Sequence, residues 1–587
     1  MVPDPDIKLL VTTALEQTWG SDEPIVFLGE WCRLYDRKDV WMKRSCQVIP
    51  NHWDDREKLR EDYGYLESLY GSLLADIASA MNRYHQIDRT LRYWQMILGP
   101  WLLTYIAVIW DRWECLRLAF GEHGQLQTIA LTSNVGCKPC FDYDDFIQKI
   151  INDPWNHQLF LEIIESNYFS QCKVNKLDSA TSLETGSPSK LKARPLKYKL
   201  VKFVDGFLGW LPIQNRVVFF QSYFTPAALL KLNLSLKQLP RLYLKEFEWP
   251  IPLDDSGLGR GDISLDSKAK NAFESFLLRR IVKDLPYAYV EGFSALRDRA
   301  SKIRMNPKMI LTGVGHWASE LFKLWSAEQV IKGCKLIPVQ HGGSINMGSM
   351  ICFNFEEDIS DFYAAWVIPL HPKHVRLPAP KLIGFKVHSE KKIISLIGLE
   401  LPRYVIRVGA TPMAGQILIH YDQAIKFYHS LTDIIRPHFR AKPCPDMGWN
   451  IRQRYIDDLG ADKLIEGQTF YEVLAHSKVV ICTYPCTTFA ESMASGLPTL
   501  LLYPGHLWEL NPAMDPLLKI LMAAKIVFHD PQAAATQLNV IWEDPDQWWN
   551  SSEVVYARNE FHRQAVYLGS NWLNEWTAFI NGVLHER

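Results

Sequence analysis

The N-terminal third of the chain has mainly helical periodicity. An apolar run at 25–28, ending in Gly-Glu-Trp, predicts one buried strand followed by helices. Between residues 66 and 81, apolar side chains recur at helical spacing, which predicts an amphipathic helix. Residues 93–110 are uncharged but contain Gly99-Pro100, and they fall short of the ~20 apolar residues of a membrane span. We therefore expect a buried helix that is broken at Gly99-Pro100.

From about residue 215 the pattern changes to alternating strands and helices. Short apolar runs alternate with amphipathic segments, which favours parallel α/β sheets. Two such runs are separated by a proline-rich stretch near 370–405. The predicted strands lie at 216–220, 308–311, 335–339, 416–419, near 440, 478–481 and 498–502, with helices at 226–234, 319–330, up to 435, and 488–495.

The last segment, 551–587, is predicted to be helical. Trp572, Trp576 and Phe579 fall on one face of the final helix, at positions i, i+4 and i+7. An apolar stripe of this kind needs a partner surface to cover it.

Composition excludes several classes of protein. The chain has 587 residues, of which 48% are apolar and 22% charged, as in ordinary globular proteins. Lys and Arg number 64 against 65 Asp and Glu, and this net charge of −1 argues against nucleic acid as the main partner. The eleven cysteines show no disulfide-like clustering, and no signal-peptide pattern opens the chain, so we expect a cytoplasmic protein. The 21 tryptophans predict an aromatic core or a ligand-facing surface.

A basic segment covers residues 173–204. It contains eight Lys and Arg residues but only two acidic residues, Asp178 and Glu184, and its middle is rich in small and polar residues. We expect a surface loop. It is either a solvated linker or a contact to anionic lipid headgroups at the inner membrane face.

The strongest local motif runs from 481 to 498 (ICTYPCTTFAESMASGLP). A buried strand ends, a short loop turns, and a helix begins at Thr487 or Thr488. Free backbone N–H groups at a helix start bind anions, and the two hydroxyls add donors. Glu491, one turn further, is suited to accept hydrogen bonds from sugar or ribose hydroxyls. The alternative is that Thr487 is an ordinary N-cap with Glu491 near its capping-box position.

A second motif, QHGG at 340–343, follows a predicted strand. His341 therefore occupies the strand end where α/β sheets place their ligand crevice. Its glycines allow backbone to approach a ligand closely. Glu357 and Asp361, in the acidic run at 356–361, are candidate catalytic partners, although a single histidine is more often structural.

The loop at 440–450 combines two cations, an acid and an indole. Arg440, Lys442, Asp446 and Trp449 are together suited to hold a phosphorylated, flat ligand, or form a plain surface loop. Aromatic and polar side chains of the N-terminal region suit a polyhydroxylated acceptor, although core packing explains its tryptophans equally well. These acceptor candidates are Glu30, Trp31, His52, Arg92 and Trp94.

Several of these segments resemble one family over nearly the whole chain. They are FLGEWC at 27–32, NHWDDR at 51–56, QHGG at 340–343, PDMGWN at 445–450 and TTFAESMASGLPTL at 487–500. The family comprises transferases encoded in bacterial O-antigen and surface-carbohydrate gene clusters, and its C-terminal half is similar to GT-B glycosyltransferases and glycerophosphotransferases.

The resemblance implies an α/β fold with two Rossmann-like, GT-B-like domains and an N-terminal helical elaboration. An acceptor-side domain would cover 1–385, with a helical insertion at about 50–170. A nucleotide-donor domain would cover 386–570, and the helix at 571–587 would cross back to the N-terminal domain. In this arrangement Arg440, Lys442, Asp446, Trp449, Thr487, Thr488 and Glu491 bind the donor, and His341, Glu357 and Asp361 serve catalysis.

The implied activity is transfer of a sugar from a nucleotide-activated donor to a surface-polysaccharide acceptor, or to a lipid-linked glycan, without a metal or other cofactor. Two departures from GT-B relatives leave the donor open. Pro443-Cys444-Pro445 stands where many have a His-Pro pair, and no acidic pair surrounds Glu491. Transfer of a nonulosonic acid from a CMP donor, or of a polyol phosphate, is the alternative within the class. A non-catalytic glycan-binding assembly protein is the alternative outside it.

Overall fold

The computed structural model describes residues 7–21, 23–132, 139–166, 168–178, 203–208, 215–243, 246–248, 259–343 and 348–585. Parallel sheets flanked by helices occur in both halves of the chain. The predicted α/β class with a helical elaboration near the N-terminus is therefore confirmed.

The first sheet has five parallel strands where the sequence predicted only one. Its order is β3-β2-β1-β4-β5. The predicted strand is present as β2, but four others were missed. Two of them, β1 and β3, have only three residues, which carry too little periodicity to be recognised, whereas β4 and β5 have seven residues each. The strands are β1 (Leu9–Val11), β2 (Ile25–Phe27), β3 (Cys46–Val48), β4 (Leu126–Thr132) and β5 (Cys172–Asp178).

Strand β5 corrects part of the basic-loop prediction. Residues 173–178 pair in parallel with β4 along their whole length and do not form a loop. As an edge strand, β5 can carry exposed lysines, which made it look like a loop. Residues 179–202 of the predicted loop lie outside the described residues.

A long helical hairpin follows β3. Helix α2 spans Arg56–His85 and α3 spans Leu91–His123. The predicted break at Gly99-Pro100 is wrong, since α3 continues through Pro100. Gly99 instead permits close packing, because a Cβ there would lie 2.5 Å from the ring of Phe355. Residues 93–109 are buried in the core, and within the described ranges no helix combines the length and apolarity needed to cross a bilayer.

The central sheet contains β6 (Val217–Phe220), β7 (Met309–Thr312) and β8 (Lys335–Pro338) in parallel order. A bridge between Val339 and Ala364 joins it to the pair β9 (Tyr363–Ala365) and β10 (His374–Arg376). The last helix, Trp572–His585, packs on this sheet. Its Trp576 is fully buried and donates its indole N–H to the Pro378 carbonyl at 2.9 Å.

The C-terminal sheet is also parallel, in the order β12-β11-β13-β14-β15. Its strands are β11 (Ile393–Ile397), β12 (Phe439–Lys442), β13 (Ser477–Cys482), β14 (Thr499–Leu502) and β15 (Val527–Phe528). The strand predicted at 416–419 is wrong. Residues 417–419 open the helix Ile417–His429, whose buried face includes Ile417 and Tyr421. Three apolar residues alone do not separate a strand from a buried helical turn.

The remaining α-helices connect these strands and cover the sheets. They are Lys38–Trp41, Tyr143–Ile150, Asp153–Ile164, Pro226–Ser235, Ala272–Asp284, Phe293–Ser301, Gly315–Ala318, Glu320–Ile331, Phe355–Ile359, Ile451–Leu459, Phe470–His476, Thr487–Ser495, Asp515–Ala523, Pro531–Ile541, Pro545–Trp549 and Ser552–Gln564.

Candidate functional site

Two glycine- and threonine-bearing loops from different sheets meet at one point. The loop after β8 carries Gly342 and Gly343, and the loop after β13 carries Thr487. The Gly343 N–H donates to the Thr487 hydroxyl at 3.1 Å. Because both loops leave the carboxyl ends of parallel strands, the contact joins the ligand-binding edges of two sheets.

The two glycines serve this contact between loops. A Cβ at Gly342 would lie 2.8 Å from the Thr487 hydroxyl, and one at Gly343 would lie 2.9 Å from the Cys486 carbonyl carbon. Both distances are shorter than real Cβ contacts allow. The glycines were expected to let the backbone approach a ligand closely. In the structure they let it approach the loop that carries Cys486 and Thr487.

The helix Thr487–Ser495 begins without a side-chain cap. Its N-cap is Cys486, which makes no side-chain capping bond. The alternative role of Thr487 as an N-cap is therefore wrong, and Thr487 is the first helical residue, as predicted for the helix start. Thr488 lies beside the Cys482 thiol and the Tyr484 hydroxyl. The uncapped N–H groups and the helix dipole make this end suitable for an anion.

Glu491 does not have the open surroundings expected of a residue that binds ligand hydroxyls. It is 2% exposed and forms an ion pair with Lys381. Burial raises the pKa of its carboxyl, and Lys381 opposes that effect. Glu491 therefore holds the helix against the segment that leads into β11.

Arg407 lies between the two loops and was missed by the sequence analysis. It lines a 250 Å³ cavity together with His341 and a 60 Å³ cavity together with Cys486. The side chain is exposed and makes no ion pair with a described residue. The Arg407 guanidinium, without an ion pair among the described residues, lies beside the uncapped helix start. Both groups can bind an anion.

His341 lines the 250 Å³ cavity and stacks on Tyr223, with ring centroids 5.8 Å apart. Its Nδ1 is buried and makes no hydrogen bond with a described residue. Burial lowers the pKa of His341, which keeps the imidazole neutral near pH 7, and the Glu356 carboxylate opposes the shift. A neutral imidazole with one uncommitted nitrogen can accept a proton.

The carboxylate of Glu356, which lines this cavity, is held in place by three side-chain hydrogen bonds. It accepts hydrogen bonds from His316 at 2.8 Å, from the Trp317 indole at 2.6 Å and from the Tyr363 hydroxyl at 2.9 Å. Burial raises its pKa, but the bonds from His316 and Trp317 outweigh burial and lower the pKa to about 2. Glu356 is therefore a fixed negative charge near His341.

The two predicted acidic partners have different surroundings. Glu357 lines the same cavity, but its carboxylate is bonded to His374 at 3.0 Å. Asp361 does not line the cavity and forms an ion pair with Arg92 at 2.7 Å. That pair joins a predicted catalytic residue to a predicted acceptor residue, and it holds α3 to the segment before β9.

The predicted donor loop at 440–450 is committed to backbone contacts. Arg440 donates to the Pro437 and Phe439 carbonyls, and Lys442 to the Gln468 carbonyl. Asp446 accepts from the Gly448 and Asn450 N–H groups, and Trp449 is 2% exposed and donates to the Leu401 carbonyl. None of these four residues lines the His341 cavity.

The predicted acceptor residues are also held by internal contacts. Glu30 pairs with Arg33, which leaves it partly exposed. The other four make the following contacts: the Trp31 indole donates to the Thr12 carbonyl, His52 bonds to Asp111, Arg92 pairs with Asp361, and the Trp94 indole donates to Asn82. Trp31, His52 and Trp94 are buried, so they form core instead of a groove.

One group of metal-ligand types occurs among the described residues: His52, Asp111 and Cys115, all buried, with donor atoms within 4.8 Å of one another. Asp111 is already neutralised by Arg112 at 2.8 Å. Burial raises the pKa of Cys115 far above its usual value, which keeps the thiol protonated. His52, Asp111 and Arg112 are therefore joined by buried hydrogen bonds, with the Cys115 thiol close by.

Comparison with protein families gives one assignment. The model of the family described as LIC12162 family transferase matches residues 8–580. The chain belongs to this family. The loops that meet between the central and C-terminal sheets therefore belong to a LIC12162 family transferase. No curated protein matches its sequence.

The transferase is also similar to solved structures at low identity. S. aureus MnaA in complex with UDP aligns at 11% identity over 63% of this chain and 97% of that chain, with a TM-score of 0.34. The wall teichoic acid polymerase TagF aligns at 10% identity over 66% and 91%, with a TM-score of 0.32. A Listeria monocytogenes protein described as a UDP-N-acetylglucosamine 2-epimerase aligns at 11% identity over 64% and 98%, with a TM-score of 0.37. Scores this low assign no activity to the transferase.

Proposed function

We propose that this transferase is a GT-B-like glycosyltransferase that moves a sugar from a nucleotide-activated donor to a surface-polysaccharide acceptor. The observation that carries the proposal is the contact between the His341 loop and the Thr487 loop. It brings a neutral imidazole, an unpaired arginine and an uncapped helix start together between two sheets.

In this mechanism the donor phosphate lies at the start of the helix Thr487–Ser495. The backbone N–H groups there and the Arg407 guanidinium take up the negative charge of the departing nucleotide. Arg407 replaces Arg440 and Lys442 in that role, because both of those side chains are bound to backbone carbonyls.

His341 acts as the general base. It removes the proton from the acceptor hydroxyl as that oxygen bonds to the anomeric carbon and the bond from carbon to phosphate oxygen breaks. Glu356 stabilises the imidazolium that results, as a carboxylate fixed by three hydrogen bonds. General base help of this kind is worth ~10²–10⁴-fold in rate.

A thermal-shift panel of UDP, dTDP, GDP, CMP and CDP tests the proposal. A ligand at 100 times its Kd should stabilise the fold by ~2.7 kcal/mol. Stabilisation by UDP, dTDP or GDP supports sugar transfer, and stabilisation by CMP or CDP alone points to a nonulosonic acid or a polyol phosphate. No stabilisation by any of the five contradicts a nucleotide donor.

A further inference from the structure

One large cavity has no role in the mechanism above. It has a volume of about 880 Å³ and lies where the loops after β14 and β15 face helix α2. That volume is within the ~300–1,000 Å³ typical of small-molecule sites. Its position at the carboxyl ends of two parallel strands is where such sheets bind ligands.

The cavity is adjacent to the proposed reaction site, because neighbouring cavities share lining residues. It shares Ser349, Met350 and Trp508 with the 60 Å³ cavity, which in turn shares Cys352 and Arg407 with the His341 cavity. A ligand in the large cavity could therefore extend one end toward Arg407 and His341.

Two polar atoms in the wall have no partner within the described residues. They are the hydroxyl of Tyr503, a side chain that is 0% exposed, and Oε1 of Gln423. Burial raises the pKa of Tyr503, so its hydroxyl keeps its proton and can donate. A buried polar group without a partner destabilises the fold, and a ligand hydroxyl would relieve that cost.

The charges of the wall favour a neutral ligand. Among the described lining residues the one Lys or Arg is Arg60, which is exposed and ion-paired with Glu57 at 2.7 Å. The lining carboxylates are Asp515 and Glu509, and Glu509 is paired with Arg56. A phosphorylated ligand would meet no free cation here, whereas Trp508 and the two proline rings offer apolar faces to a sugar ring.

We propose that this cavity binds a neutral saccharide, as the acceptor subsite of the transferase. The acceptor role rests on the proposed glycosyl transfer, and the saccharide binding does not. Tyr503 donates to a sugar hydroxyl, Gln423 accepts from another, and the glycan extends past Met350 toward His341.

Gly64 of helix α2 allows a clean test. It lines the cavity, and a Cβ there would meet nothing within 4 Å, so Gly64→Met adds a long side chain at the cavity wall with an unhindered Cβ. Gly71 lies on the same helix, has equally open surroundings and does not line the cavity, so Gly71→Met is the matched control. Both changes favour the helix, because methionine has a higher helix propensity than glycine.

The probes are the methyl α-glycosides of glucose, galactose, mannose, rhamnose and N-acetylglucosamine, measured by saturation-transfer NMR on the full chain. We expect at least one to bind the wild type and Gly71→Met equally. Its affinity should fall at least tenfold in Gly64→Met and severalfold in Tyr503→Phe. If no glycoside binds, or if Gly64→Met binds as well as the wild type, the saccharide site is wrong.

The nucleotide panel run on the same samples separates the two proposals. Nucleotide binding that persists in Gly64→Met while glycoside binding is lost supports both. Glycoside binding that depends on Gly64, without binding of any nucleotide, keeps the saccharide site and overturns the donor proposal. Loss of nucleotide binding in Gly64→Met, with the fold intact, would mean that the cavity holds the nucleotide and would overturn the saccharide site.

Discussion

The first sheet and the C-terminal sheet have equivalent switch points, between β1 and β4 and between β11 and β13. Strand order reverses there in both sheets, and such points form the usual ligand crevice of open α/β sheets. The loop after β11 carries one arginine near each switch point. Arg403 contacts residues of the first sheet's loops and helices, and Arg407 lies beside the loop after β13 of the C-terminal sheet.

The two arginines have opposite surroundings. Arg403 is 9% exposed, donates to the Trp31 carbonyl at 2.5 Å and pairs with Asp153 at 2.6 Å. Asp153 also accepts from the Ala14 N–H and the Tyr404 hydroxyl. The charges of Arg403 and Asp153 are therefore both paired. Arg407 is exposed and faces two cavities without an ion pair among the described residues. Equivalent topology therefore does not make equivalent surroundings, and we propose that the charge of Arg407, which has no ion pair among the described residues, marks the functional site.

Replacing His341 should have the largest effect at the C-terminal site. His341→Ala is expected to reduce transfer by ~10²–10⁴-fold, because it removes the proposed base. Nucleotide affinity should stay within twofold, since the phosphate site is on the other loop. The rate of nucleotide release from the donor and the nucleotide Kd measure the two effects, and turnover within a few-fold of wild type would make His341 structural.

The pH profile gives the same prediction a second readout. Because the pKa of His341 is lowered by burial, its neutral form persists below the ordinary value of 6.5. The wild-type rate should therefore stay above half of its maximum at pH 6.5 and reach half only in more acidic buffer. A rate that already declines by half at pH 6.5 or above would contradict a base with this environment.

Replacing Arg403 should damage the fold at the first sheet. Arg403→Gln leaves the Asp153 carboxylate without its cation, and breaking a buried pair in this way costs about 3–5 kcal/mol. Urea denaturation measures the loss. The matched change Arg407→Gln should alter stability by no more than about 0.5 kcal/mol, as for an exposed side chain. Equal losses in the two variants would remove the distinction between the switch points.

Glu400 adds a pH-dependent term to the C-terminal sheet. Burial raises its pKa to about 8, with a contribution from Asp446. Between its unfolded value near 4.5 and about 8, the folded chain holds a proton that the unfolded chain lacks. Stability should therefore fall as pH rises through this window, by up to a few kcal/mol. Glu400→Gln should flatten that decline in denaturation at pH 5.5 and pH 8, and an unchanged slope would contradict the shift.

Trp94 should show the smallest effect, and only on stability. Its indole N–H bond to Asn82 at 2.8 Å is lost in Trp94→Phe, at a cost of about 1 kcal/mol plus the packing change. Transfer by the folded protein should be unaffected, because Trp94 is fully buried away from the cavities. A selective rise in acceptor KM would restore Trp94 to the acceptor site.

Much of the central and C-terminal architecture follows from sequence patterns. Short apolar runs located β6, β7, β8, β13 and β14, because buried parallel strands are apolar. In the first sheet every strand except β2 was missed, because these strands are short or contain polar residues. β1 has only three residues, and β5 at the sheet edge carries lysines that tertiary position permits.

The candidate site divides in the same way. Thr487 and His341 were predicted because each follows a strand end, which is a local feature. Arg407 lies in an irregular loop, and what distinguishes it is the lack of a carboxylate partner, which depends on the whole fold. Glu356 was passed over for Glu357 and Asp361 because a run of acids does not reveal which member faces the cavity.

The most direct test of the account is calorimetric titration of the five nucleotides into the wild type, Arg407→Gln and Arg403→Gln. We expect at least one nucleotide to bind the wild type, with a Kd that rises about 10–100-fold in Arg407→Gln, as for a lost charged hydrogen bond worth about 1.5–3 kcal/mol. The folded fraction of Arg403→Gln should bind as the wild type does. An unchanged Kd in Arg407→Gln would contradict the claim that the unpaired arginine at the C-terminal switch point holds the donor phosphate.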